Sequence, residues 1–106
     1  MSAEVDIAVL SASFVAAPEH EAALAAALAK YVVLTRHLPQ CRNVDLVIST
    51  TQSGRFLVVE KWESDADARA HLDSEVMVDM ARAVVPMLAE APQVDLWDSI
   101  SAHDLH

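Results

Sequence analysis

The chain is poor in residues that many common sites need. It has one cysteine, Cys41, so no internal disulfide can form. That suits a reducing compartment, and a cytoplasmic protein is expected. It has one glycine, Gly54, which excludes glycine-rich phosphate and dinucleotide loops. Basic residues are scarce: 7 Lys and Arg stand against 16 Asp and Glu, for a net charge of −9. That leaves little basic surface for nucleic acid or anionic membrane. No apolar run approaches the roughly 20 residues of a membrane span. The start, MSAEVDIAV, lacks the basic-then-apolar order of a secretion signal. Histidines are scattered, and only His103 and His106, in the tail, have short spacing with a carboxylate between them. No metal site is expected.

What is present is apolar: 54% of the 106 residues, much of it alanine, enough for a core in one domain spanning 1–106. Val5 to Ala16 alternates as a strand, with Ala8, Leu10, Ala12 and Phe14 on one face and Val9, Ser11, Ser13 and Val15 on the other. Ala17-Pro18-Glu19 reads as the start of a helix that runs to Arg36 or His37 and stops before Pro39. Cys41 to Thr51 is a second strand, and Gln52 to Arg55 a turn in which Gly54 supplies a positive φ. Phe56 to Glu63 returns as a third strand. Ser64 caps a helical stretch reaching Glu90, broken near Asp73-Ser74 and kinked at Pro86. Val94 to Ile100 is the last strand, and residues 101–106 form a frayed tail.

The order β-α-β-β-α-β is the ferredoxin-like α+β arrangement. Phe56 and Val58 point to one face of the sheet, Leu57 and Val59 to the other. Helices can cover only one face, so a second copy packed sheet to sheet is expected as the cover.

The segment FLVVEKWESDADARAHL, residues 56–72, puts an aromatic ring and an imidazole at one strand–helix junction. With SEVMVDMARAVVPMLAEAP at 74–92 and the element order, it resembles the antibiotic biosynthesis monooxygenase family. The resemblance implies a homodimeric α+β barrel. It also implies, among several family activities, oxidation of a planar phenol or quinol by O₂ with no metal or organic cofactor.

On that resemblance the candidate catalytic residues are Trp62, Arg82, His71 and Glu60. Trp62 is either a core aromatic or a wall that stacks a flat substrate. Arg82 either pairs with Asp79 on the surface or stabilises a developing anion. His71 is a helix histidine bonded locally, or a neutral base for a phenol proton. Glu60 pairs with Lys61 or Arg82, or acts as a base with a raised pKa. Trp97 and Asp95 share a face of the last strand, where Trp97 is read as an interface anchor. Tyr31 is read as packing, Met77, Met80 and Met87 as core, and Cys41 as a structural thiol.

Departures from the family pattern also carry weight. Haem-cleaving members use an asparagine in the first strand and a distant histidine. This chain has neither at the matching places, which argues against haem cleavage. Val58 and Ala68 stand near positions where quinone-forming members carry polar or tyrosine residues. That keeps open a binding barrel without turnover, and an isomerase of a small metabolite is a third reading.

Overall fold

The computed structural model describes residues 7–101. In chain order these form β1 (Ala8–Val15), α1 (Glu21–Arg36), β2 (Cys41–Ile48), β3 (Arg55–Trp62), α2 (Asp65–Leu72), α3 (Glu75–Val84), a 3₁₀ turn (Val85–Met87) and β4 (Gln93–Asp98). The sheet order is β2-β3-β1-β4 with every ladder antiparallel. This is the expected ferredoxin-like α+β fold. Val5 and Asp6, and the tail from 102 to 106, lie outside the described residues.

Strand alternation decides what is buried. On β1 the residues Ala8, Leu10, Ala12 and Phe14 are buried, and the residues between them are half-buried. On α1 the buried positions are Leu24, Leu28, Tyr31, Val32 and Thr35, a stripe at helical spacing that lies on the sheet. A large core joins Phe14, Leu24, Leu28, Phe56, Val58, Met77, Met80 and Val84. A smaller one, under α2, joins Ala8, Leu10, Trp62 and Ala68.

Two boundaries differ from the sequence expectation, each for a local reason. α1 begins at Glu21, because Ala17 to His20 first closes a turn. The His20 N–H donates to the Ala17 carbonyl at 3.0 Å, and Glu19 has φ 71°. Pro18 therefore sits at the second position of a tight turn rather than inside the helix. The second helical region divides at Asp73-Ser74 as expected, and Ser74 accepts the Met77 N–H as the cap of α3. That region stops short of Glu90. Pro86 has no N–H to continue the ladder, and Leu88 and Ala89 instead join the β1 edge: Leu88 bridges Ala16, and the Ala89 N–H donates to the Val15 carbonyl at 2.8 Å.

Gly54 has φ 76° in the β2–β3 turn, as expected. On the helix-free face of the sheet, Trp97 opposes Val9 in register, and its indole N–H donates to the Ser11 hydroxyl at 2.9 Å. That side chain stays half exposed at 54%, and Val47 on the same face at 49%. Among the described residues no helix is long and apolar enough to cross a membrane.

Candidate site around a buried carboxylate

β3 lies inside the sheet, so its pleat drives Phe56, Val58, Glu60 and Trp62 under the helices, and all four are buried. In the ladders Glu60 stands opposite Leu10 on one side and Val44 on the other. A carboxylate in such an apolar row is costly unless it is bonded, and here both of its oxygens are.

The partners come from three elements. The Tyr31 hydroxyl, on α1, donates to Glu60 Oε2. The Trp62 indole Nε1–H donates to Glu60 Oε1 at 2.9 Å. His71, in the last turn of α2, places Nε2 at 2.7 Å from the Tyr31 oxygen and 3.6 Å from Glu60 Oε1. A tyrosine hydroxyl has one hydrogen, and this one is given to Glu60. The imidazole must therefore carry its hydrogen on Nε2 and donate it to the Tyr31 oxygen. That leaves Nδ1 as an acceptor, 3.3 Å from the Ser74 hydroxyl. The imidazole also lies on the Trp62 ring, with centroids 4.4 Å apart and planes at 33°.

Burial sets the proton affinities. It holds Glu60 above the usual carboxylate range, and the hydrogen bonds from Tyr31 and Trp62 only partly offset this. It pushes His71 down to about 4, so the ring is neutral near neutral pH. It pushes the Tyr31 phenol far up, and the Glu60 charge adds to that. The Cys41 thiol, raised to about 11 by burial and then by Glu60, stays protonated.

Three of the residues singled out from the sequence, Glu60, Trp62 and His71, thus meet in one network. Arg82 does not join them. The buried face of α3 is Met77, Met80 and Val84, which turns Arg82 outward, 78% exposed and paired with Asp79 at 3.8 Å. Of its two expected readings, the surface pairing with Asp79 is the one seen, and the site-facing one is corrected by that helical phase. Glu60 pairs with Tyr31, Trp62 and His71 rather than with Lys61 or Arg82. Trp62 is 2% exposed, with its ring against the imidazole, so it is a wall of the network and not of an open cavity.

Tyr31, read from the sequence as packing, is the residue that joins Glu60 to His71. Its signal was present: it is the one tyrosine of the chain and lies on the apolar stripe of α1, where a buried hydroxyl needs a partner. Tyr31 also lines a cleft of about 190 Å³ between α1 and α3. Ala27, Leu34, Val76, Met80 and Ala83 give that cleft apolar walls, and Lys30, Glu75 and Asp79 give it a charged rim. Among the described residues no group of three or more His, Cys, Asp or Glu is arranged to hold a metal ion.

Residues 7–83 match the family model for antibiotic biosynthesis monooxygenases. No curated protein matches the chain. Solved structures do. A candidate antibiotic biosynthesis monooxygenase from Nitrosomonas europaea superposes with a TM-score of 0.85 at 15% identity, over 98% of this chain and 100% of that one. A protein from Mycobacterium tuberculosis gives 0.83 at 22% identity, over 92% and 99%. One from Shewanella oneidensis gives 0.81 at 27% identity, over 91% and 93%. The first two likenesses are of fold alone. With most of its length matched by the family model, the chain belongs to the antibiotic biosynthesis monooxygenase family.

Proposed function

We propose that this member of the antibiotic biosynthesis monooxygenase family oxidises a small planar phenol or quinol to a quinone with O₂, without metal or organic cofactor, as a homodimer. The observation that carries the reading is the buried Glu60–Tyr31–His71 network, whose Tyr31 is also one of the residues lining the cleft. A carboxylate with raised proton affinity, reached through a hydroxyl, is the equipment for taking a phenol proton near neutral pH.

The substrate ring lies in the α1–α3 cleft with its hydroxyl toward Tyr31. Its proton passes to the Tyr31 oxygen as Tyr31 hands its own to Glu60. The resulting phenolate gives one electron to O₂, and the two radicals combine at a ring carbon as a peroxide. The peroxide anion takes back a proton, for which Glu60 holds the one removed, and loss of water then leaves the quinone, so one oxygen atom enters the product and the other leaves as water. His71 orients Tyr31, and Trp62 orients Glu60. Lys30, on the rim, supplies a cation for the anionic intermediates. At about 190 Å³ the cleft is smaller than the ~300–1,000 Å³ of drug-sized sites, which favours one or two rings over a larger polycycle.

The dimer is supported by the apolar residues of the helix-free face, Val47 and Trp97 above all, since monomers seldom leave such a patch wet. Sedimentation of the wild type and of Leu57→Asp tests this: a dimer that the aspartate splits is expected, and a wild-type monomer at micromolar concentration refutes it. A second reading, a binding barrel without turnover, is favoured by the outward-facing Arg82 and by the fully bonded state of Glu60.

Oxygen uptake and product mass with a panel of hydroquinones and anthrone-type compounds separates the two. Quinone formation lost in Glu60→Gln and Tyr31→Phe supports the oxygenase, with Arg82→Ala affected least. A thermal shift with no consumption supports the binding barrel.

A further inference from the structure

Ser74 caps α3 and touches the imidazole with the same hydroxyl. Its Oγ accepts the Met77 N–H at 3.2 Å, which leaves its own hydrogen free to donate, and His71 Nδ1 lies 3.3 Å away. Ser74 is half-buried, at the α2–α3 junction, whereas His71, Tyr31 and Glu60 are buried. From the junction inward every hydrogen in the row is donated toward the carboxylate: Ser74 to Nδ1, Nε2 to the Tyr31 oxygen, Tyr31 to Glu60 Oε2.

We propose that Ser74, His71, Tyr31 and Glu60 form a proton relay, with Ser74 as its solvent end and Glu60 as its buried terminus. The proposal rests on the reading of Glu60 as the base of the site, and it names the path by which that base exchanges its proton with solvent. With Glu60 ionised, the row points inward. To load a proton, Ser74 gives its hydroxyl hydrogen to Nδ1 and takes another from water. Nε2 passes its hydrogen to the Tyr31 oxygen, and Tyr31 passes its own to Oε2. One proton has entered, the carboxylate charge is gone, and His71 has changed from the Nε2–H to the Nδ1–H tautomer. Release runs the row in reverse from the Nδ1–H tautomer, so a proton loaded this way leaves without the carboxyl ever meeting water.

The groups facing the row leave this path undisturbed. The Trp62 indole only donates, so it holds Oε1 but cannot pass a proton. The Cys41 thiol, on β2, is held protonated by its surroundings. Thr35, one turn beyond Tyr31 on α1, is fully buried, and its hydroxyl has no hydrogen-bond partner among the described residues. A neutral imidazole with both nitrogens in use is the form that such a relay needs.

The test is nitrogen and carbon NMR of labelled full-length protein across pH, with no substrate. The relay requires that His71 exchange its pyrrole-like nitrogen from Nε2 to Nδ1 at the pH where the Glu60 carboxyl carbon titrates, with no imidazolium at that step. A His71 that keeps one tautomer while Glu60 titrates overturns it. So does a His71 that goes straight to imidazolium there, or a Glu60 that never titrates in the folded range.

Ser74→Gly, a substitution that helix caps tolerate, should abolish fast exchange of the Glu60 proton with water, and Ser74→Thr should restore it. Equal exchange in all three proteins assigns Ser74 to capping alone and overturns its place in the relay. Because no turnover is read, an inactive protein would sink the oxygenase reading while leaving the relay to these spectra.

Discussion

The Trp62 indole N–H donates to Glu60 Oε1 at 2.9 Å, so two side chains one pleat apart on β3 hold each other in the buried face of the sheet. The bond fixes the carboxylate plane and leaves Oε2 for Tyr31. It also explains why a tryptophan, with no open cavity beside it, is more than core volume here.

Trp62→Phe keeps an aromatic ring and removes the donor. Hydrogen bonds from Trp62 and Tyr31 are the two influences that lower the Glu60 pKa against burial. The variant should therefore titrate Glu60 at higher pH than the wild type, read from the carboxyl carbon signal. An unchanged titration would mean that the indole bond contributes nothing to the charge state.

Tyr31→Phe leaves Glu60 Oε2 and His71 Nε2 buried without their shared partner. The expected cost is about 1–3 kcal/mol, the usual penalty for a stranded buried polar group, measured by urea denaturation. A neutral or stabilising result would show that the two groups find each other, across the 3.6 Å that separates Nε2 from Oε1, or find water.

His71 gives stability a pH dependence of known sign. Its pKa falls from 6.5 to about 4 on folding, through burial. Between those values the unfolded chain takes up a proton that the folded chain refuses, so stability falls as pH drops from 6.5 toward about 4. At roughly 1.4 kcal/mol per unit the ceiling is about 3 kcal/mol. Glu60 acts in the opposite sense: its raised pKa favours the folded state at low pH, and that advantage is lost as pH rises from the usual carboxylate range through its higher folded value. Urea midpoints across this window should thus fall less steeply in His71→Asn than in the wild type, and more steeply in Glu60→Gln.

Gly54→Ala tests the β2–β3 turn. At φ 76° an alanine is strained, and its Cβ would meet Glu21 Oε2 at 3.0 Å. The carboxylate can swing aside but the backbone cannot, so a loss of about 1–2 kcal/mol is expected. A stability equal to wild type would mean that the turn relaxes to another form.

Much of this site was legible because β structure is simple to phase. The two-residue period of β3 put Glu60 and Trp62 on one face, and Ser74 marked the break that brings His71 to the end of α2. Tyr31 was harder. Helical spacing says that it is inside, but not which strand it meets, since that depends on how α1 lies across the sheet. Arg82 was open between two readings: the resemblance pointed inward, while its spacing from Met77, Met80 and Val84 pointed outward, to the surface pairing with Asp79 that is seen. The late start of α1 depends on Glu19 adopting a positive φ, which nothing in a glutamate announces.

Tyr31 and Glu60 are 29 residues apart, and Tyr31 and His71 are 40. α1, β3 and α2 must all be docked before the network exists, and the chain closure that this requires makes such contacts late events in folding. A fragment or intermediate that lacks any one of the three cannot hold it. Whatever chemistry the site performs therefore switches on only when these three elements dock, and a nascent or partly melted molecule without one of them is silent rather than weakly or wrongly active.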